Sequence, residues 1–225
     1  LTPVVDDVTD GNYCNDYTLP SMADVDNANN TANLGLFTAP NGGGSQLNFG
    51  DLFNTPGTTT IYIYDETGTV PNCFDEEQFD VTINNSVSAG PDNLDEICAE
   101  GGTVDIGALL DPAADAGGNW SETTASGQFN IGTLMFDVTG LAAGDYTFEY
   151  ELNGVAPCIS EIAEFTVVVH PLPIVDPGNY VSPICAGDEM IFLATSTNNP
   201  ATFAWNNGVV NGDPYTPLTS NTYTV

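Results

Sequence analysis

The sequence has no lysine and no arginine among its 225 residues. Ordinary usage, about 25% charged with half of it basic, would supply roughly 28. Against that absence stand 31 Asp and Glu and one histidine, giving a formal net charge of −31. Nucleic-acid binding, which neutralises phosphates with Lys and Arg, is excluded. So are a polybasic membrane anchor, the lysine-dependent phosphate sites of P-loop NTPases and kinases, and Schiff-base chemistry. Lys–Asn isopeptide cross-links and ordinary trypsin cleavage are excluded as well. No apolar run reaches the roughly 18 residues of a membrane helix, so no membrane insertion is expected in this segment. The single histidine, His170, precedes Pro171 at a strand-to-linker edge, a poor place for the oriented His of a catalytic triad. Among 31 acids some pair must be close by chance, and no motif marks an acid and a nucleophile. The expectation is a non-enzyme with no catalytic and no cofactor-binding residues.

What is present is globular. Hydrophobic residues are 41% and aromatics 10%, with 23 Gly and 15 Pro, a composition of short strands joined by turns. The chain begins on Leu1 and stops on Val225 inside an apparent strand, so it reads as a piece of a longer polypeptide.

An internal repeat organises it. TPGTTTIYIY (55–64), LAAGDYTFEY (141–150) and LTSNTYTV (218–225) each run from a turn into alternating aromatic and β-branched residues, aligning Tyr62, Tyr146 and Tyr223. Cys14 precedes Tyr62 by 48 residues, and Cys98 precedes Tyr146 by 48. The next cysteines follow by 11 (Cys73) and 12 (Cys158) residues. This spacing predicts two complete units, 1–86 and 87–172, and an incomplete one, 173–225. Cysteine arithmetic then predicts bridges Cys14–Cys73 and Cys98–Cys158, with Cys185 awaiting a partner about a dozen residues beyond Val225. Free buried thiols are the alternative; zinc lacks any CxxC. Disulfides point outside the cytoplasm.

Strand candidates are 59–66, 78–84, 134–138, 145–152, 163–170, 189–196 and 201–205, with turns at 41-NGGG-44, 117-GGN-119, 140-GLAAGD-145 and 206-NNG-208. No window carries a helical stripe. Trp120 and Trp205 lie 22 and 20 residues after Cys98 and Cys185, an immunoglobulin-like placement. The second cysteine falls in the loop after the Tyr strand, so a bridge should clamp one pole of a sandwich rather than its centre. The predicted fold class is all-β: tandem Ig-like or PKD-like β-sandwiches in an extended rod.

The stretches 17-YTLP-20, 61–83, 117-GGNWSETTASGQFN-130, 136–152, 171-PLP-173, 184-ICAGDE-189 and 203-FAWNNGVVNGDPYTP-217 resemble repeats of very large Bacteroidetes cell-surface adhesins. Those include gliding-motility adhesins exported by type IX secretion, with PKD- and Ig-like repeats. The resemblance covers nearly the whole chain; the insertion 22–35 departs from it. It implies a non-catalytic stalk on the bacterial surface, with neighbouring repeats as partners, and surface glycans, proteins, or the secretion and motility machinery as further ones.

Ca²⁺ is the candidate ion, since it takes six to eight oxygen ligands and the acidic chain repels itself. The candidate ligands are Asp6, Asp7 and Asp10; Asp24 and Asp26 with Asn27; and Asp92 and Asp95 with Glu96. Asp75, Glu76 and Glu77 form a fourth cluster, and the EF-hand template fails at Ala28. A solvated acidic face is the alternative for each. Tyr13, Tyr17, Tyr180 and Tyr215 could stack on sugars or proteins or pack in turns. Two other functions compete with the stalk: a subunit of a polymeric surface fibre completed by strand exchange, and an accessory carbohydrate-binding region of a secreted enzyme.

Overall fold

The computed structural model describes residues 2–26, 29–180, 185–197 and 201–225. These residues are all-β apart from single turns of helix at Met22–Val25 and Ile106–Leu109. The strands are β1 (Gly11–Cys14), β2 (Tyr17–Thr18), β3 (Gly35–Ala39), β4 (Gly43–Leu47), β5 (Leu52–Phe53), β6 (Gly57–Glu66), β7 (Phe74–Asn84), β8 (Asn93–Cys98), β9 (Thr103–Asp105), β10 (Asn119–Glu122), β11 (Phe129–Asn130), β12 (Met135–Asp137), β13 (Gly144–Leu152) and β14 (Glu161–His170). Two-residue bridges follow: β15 (Val175–Asp176), β16 (Met190–Ile191), β17 (Thr195–Ser196) and β18 (Pro214–Tyr215). The chain forms two compact units. One holds the residues up to Asp95 with Val104–Phe136 and Tyr146–Val167; the other holds Glu96–Thr103, Asp137–Asp145 and Val168–Val225.

The period-2 pattern of 59–66 and 78–84 explains the first sheet, ordered β1-β7-β6-β3-β4. Ile61 and Ile63 of β6 and Phe79, Val81 and Ile83 of β7 are buried on one face, each side chain contributing about 1.5–3 kcal/mol by burial. The opposite face carries cross-strand polar pairs. Thr60 donates to Asp80 at 2.6 Å, and Thr58 meets Thr82 at 2.8 Å, contacts typical of a solvated antiparallel face. The predicted turn at 41–44 joins β3 to β4. Asn41 and Gly42 have φ of 58° and 66°, the two left-handed residues a tight hairpin turn requires. The β2–β5 pair covers the apolar face, and Leu19, Val25, Leu34 and Phe53 join the same core.

The next sandwich pairs a sheet ordered β10-β13-β14-β8 with one ordered β11-β12-β9. Phe148, Tyr150 and Leu152 of β13 and Ala163, Phe165 and Val167 of β14 alternate inward. Trp120 stands 4.9 Å from the Tyr150 ring and 5.2 Å from Phe165. It packs on rings and not on sulfur, as its placement away from the pole cysteines implies.

In the second unit Phe192 gathers Tyr180, Trp205, Tyr215 and Tyr223, with ring centroids 4.7–6.0 Å away. Two strand expectations fail here. Of 189–196 only β16 and β17 form, and 201–205 forms no strand. Side-chain bonds hold the second stretch in place of a ladder: Trp205 Nε1 donates to Asn211 at 3.0 Å, and the Asn206 and Asn207 amides both donate to the Thr222 carbonyl at 3.1 Å.

Candidate mechanical junction

The feature most distinct from ordinary core packing is the join around the connector 85–92. Strand β1 pairs in parallel with β7, from Gly11↔Val81 to Cys14↔Asn84. Asp10 leads into β1 by accepting the Asp80 N–H at 2.8 Å, and Asn15 leaves it by donating its N–H to the Asn84 carbonyl at 2.7 Å. Asn15 has φ of 69°, a left-handed geometry Asn tolerates better than most residues. There its side chain accepts the Ser86 N–H at 2.8 Å. The connector is then tied step by step. Ser88 donates its N–H to Asp115 Oδ2 at 2.8 Å while Asp115 returns its own N–H to the Ser88 carbonyl at 2.8 Å. Ala89, 1% exposed, donates its N–H to Glu161 at 3.2 Å. A connector whose amides are bonded on both sides has little freedom to hinge.

The β13–β14 loop meets the Cys14 end of this sheet. Asn12 Nδ2 donates to the Ala156 carbonyl at 3.0 Å, and Asn84 Nδ2 donates to Asn12 Oδ1 at 2.5 Å. Beside these amides Cys14 is bridged to Cys158, with Cα atoms 5.0 Å apart and a sequence separation of 144. The expected pairs Cys14–Cys73 and Cys98–Cys158 do not form; Cys73, Cys98 and Cys185 are free thiols. The reason is strand length. Cys14 lies opposite Asn84, whereas Cys73 precedes Phe74 at the other end of the 11-residue β7. At about 3.3 Å per residue those ends are roughly 35 Å apart, and a disulfide needs Cα atoms within about 7 Å. The ten-residue β14 separates Cys98 from Cys158 in the same way: Ala99 donates its N–H to the His170 carbonyl at the far end. The bridge therefore fastens the Cys14 end of β1 to the β13–β14 loop, within the first compact unit. Closing a 144-residue loop is worth about 5 kcal/mol in chain-entropy theory and typically 2–4 in measurement.

The calcium candidates do not converge. Among the described residues, no group of three or more His, Cys, Asp or Glu is arranged to hold a metal ion. Asp10 and Asp92 hold equivalent posts, accepting the N–H groups of Asp80 and Glu164 at 2.8 Å each. Asp24 closes a capping box on Ser21, accepting its N–H and its hydroxyl at 2.7 Å. Those bonds, the hydroxyl's first, hold the Asp24 carboxyl below the usual carboxylate range. Asp6 donates its N–H to the Val25 carbonyl at 3.2 Å, Asp26 donates its own to Met22 at 2.9 Å, and Asp7 is exposed. Asp95 is half-buried in β8, and Asn27 lies outside the described residues. In the fourth cluster, Asp75 accepts the Val5 N–H at 2.9 Å and Glu76 the Asn41 N–H at 2.5 Å. Thus many of the acids read as ion ligands cap backbone N–H groups, work that a carboxylate does well without a metal. Asp65, the one fully buried charged residue among those described, does the same for the loop before β3, accepting the Thr31 N–H at 2.7 Å and its hydroxyl at 2.5 Å.

The tyrosines pack. Tyr13 stacks on Tyr17 at 4.2 Å against the first core, where burial and then Tyr13 push the Tyr17 hydroxyl's pKa up. Tyr180 and Tyr215 belong to the Phe192 cluster. A cleft of about 370 Å³ is lined by half-buried Phe37, buried Tyr64, Asn41 and Gln46. His170 lies 3.2 Å from Glu96 on an exposed edge.

Sequence reasoning missed the asparagines and acids that tie the connector. Asn12, Asn15 and Asn84 belong to no motif, and Asp115 and Glu161 are anonymous among 31 acids. The available signal was the repeat itself, which sets Asp10 against Asp80 and Asp92 against Glu164 at separations of 70 and 72.

No protein-family model matches the chain, and no curated protein matches it in sequence. Solved structures similar to it include mouse Cadherin-23 EC22-24, 15% identical, covering 87% of this chain and 75% of that one with a TM-score of 0.37. Human CDH23 EC21-23 is 14% identical over 91% of this chain and 77% of that one, TM-score 0.35. The Protocadherin gammaB7 EC3-6 cis-dimer structure is 12% identical over 85% of this chain and 58% of that one, TM-score 0.38. No described helix is long and apolar enough to cross a membrane.

Proposed function

We propose that this chain is a load-bearing stalk segment of an extracellular adhesin, built from tandem β-sandwich repeats that hold an adhesive surface away from the cell. The observation that carries the reading is the junction at 85–92: a connector tied by Asn15, Asp115 and Glu161 and fastened by the Cys14–Cys158 bridge. A ligand-binding module has no need of a covalent strut between neighbouring repeats, whereas a chain under tension does. The surface supports the same role. With no cationic side chain but His170, adjacent stalks repel one another within a Debye length and offer trypsin-like proteases no site. The resemblance to Bacteroidetes surface repeats makes the parent a bacterial adhesin of the gliding-motility type, exported by type IX secretion. Its partners are then neighbouring repeats, surface glycans or proteins, and the motility machinery.

The test separates three functions. Sedimentation equilibrium of the 225-residue chain should give a monomer, and a glycan array should show no saturable binding. Concentration-dependent polymers would replace the stalk with a fibre subunit; a specific glycan would replace it with a carbohydrate-binding region.

A further inference from the structure

We propose that the bridges form a ladder, in which the cysteine ending the first strand of each repeat bonds to the hairpin cysteine of the repeat that follows. Cys98 is then the strand-end half of a second rung. This deepens the stalk reading and rests on it. Three observations carry it.

The first is the bridge already present. Cys14 ends β1, and Cys158 lies in the hairpin loop between β13 and β14. The second is that Cys98 stands where Cys14 stands. It ends β8, and the bonds around it repeat those around Cys14: Asp92 to the Glu164 N–H as Asp10 to that of Asp80, and Ala99 N–H to the His170 carbonyl as Asn15 N–H to that of Asn84. Its thiol is exposed and unpaired. The third is that Cys73 occupies the station of Cys158, in a hairpin loop just before β7, and is also unpaired. One rule therefore accounts for all five cysteines. Cys14–Cys158 is the rung whose two halves both lie in this chain. Cys73 is the hairpin half of the rung before it, and Cys98 and Cys185 are the strand-end halves of the two after it. Spacing from Tyr223 places the partner of Cys98 at residue 234 or 235 of a chain that carries the repeat onward (223 + 11 or 223 + 12).

The chemistry is thiol–disulfide exchange. The Cys98 thiolate attacks a small-molecule or enzyme disulfide and releases one thiol. The partner cysteine's thiolate then displaces the second thiol, forming the protein disulfide. Two protein thiols are oxidised and one donor disulfide is reduced to two thiols, which take up the two protons that the protein thiols lose.

The test is disulfide mapping of the parent polypeptide, taken to include the residues that follow Val225. It is alkylated before lysis, digested with Glu-C and Asp-N without reductant, and read by mass spectrometry. The expected result is a Cys98 peptide linked to one from about residue 234 or 235. A Cys98–Cys158 peptide, a Cys98–Cys185 peptide or an alkylated Cys98 would overturn the ladder. In the 225-residue chain itself, Cys73, Cys98 and Cys185 should alkylate fully and Cys14 and Cys158 not at all; a linked Cys14–Cys73 peptide would overturn the pairing rule. A failed stalk would show instead as polymerisation or glycan binding, so the two failures are distinguishable.

Discussion

The stretches 85–92 and 171–178 each follow a long strand, β7 and β14, and are tied differently. Both keep one reciprocal tie to the residues that follow. In the first it is Ser88 with Asp115; in the second, Ile174 donates its N–H to Thr197 Oγ1 at 3.0 Å and accepts the Thr197 N–H at 3.1 Å. The first adds the Asn12–Asn84–Ala156 amide cluster, Asn15 on Ser86, Glu161 on Ala89, and a disulfide. The second leaves Leu172, Ile174 and Val175 at 49%, 69% and 45% exposed, and the cysteine that would anchor it, Cys98, is a free thiol. The ties at 85–92 are therefore a separate layer of structure from the strand ladders themselves. The strands come from local alternation, the ties from single polar residues 27 to 144 positions apart, and the disulfide from cysteines separated by 144.

The largest expected effect is on the bridge. Cys14→Ser should lower the stability of the first unit by about 2–4 kcal/mol, a fall in Tm of roughly 5–12 °C for a unit of this size. Cys98→Ser should leave Tm in the 225-residue chain within about 1 °C. Differential scanning calorimetry checks both, and equal effects would erase the contrast between the junctions.

Backbone ties come next. Asp115→Ala removes the acceptor of the Ser88 N–H and should cost about 1–2 kcal/mol, with faster amide exchange at Ser88 read by NMR. Thr197→Val, at the corresponding place in the second junction, should cost under about 1 kcal/mol because its surroundings are already wet. Proteinase K sharpens the same contrast: the first cut should fall within 171–178, and 85–92 should be cut only after reduction.

Much of the fold was legible in the sequence, and little of the junction. The period-2 runs at 59–66, 78–84, 145–152 and 163–170 became β6, β7, β13 and β14, because alternation alone decides which face is buried. The short edge strand β1 was missed: GNYC has no alternation, and its pairing depends on a parallel partner some 70 residues away. Cysteine spacing predicted Cys14–Cys73 and Cys98–Cys158, whereas the bridge is Cys14–Cys158. Matched spacing shows that Cys14 and Cys73 occupy fixed stations in a repeat, not that the stations adjoin. Asp10 and Asp92 were read as ion ligands because their hydrogen-bond donors, the N–H groups of Asp80 and Glu164, are set by tertiary register.

The smallest effect concerns pH. Asp24 and Asp137 are held below the usual carboxylate range by bonds from Ser21 and Thr139, side chain first. A carboxylate with a lowered native pKa stabilises the fold above its unfolded pKa and loses that contribution as pH falls through the native one. The cost of Ser21→Ala with Thr139→Ala should therefore be present at pH 7 and vanish in acid, as urea titrations along a pH series would show. A cost that persists in acid would assign those hydroxyls a packing role instead.

Single-molecule extension of the chain from its two ends tests the central claim most directly. The Cys14–Cys158 bridge hides 144 residues from the pulling force, so adding a reductant under load should release about 500 Å of contour at roughly 3.5 Å per residue. Bridges closed within each repeat, Cys14–Cys73 and Cys98–Cys158, would hide 59 and 60 residues and release about 420 Å in two equal steps. One long step supports a strut between repeats; two equal shorter ones contradict it.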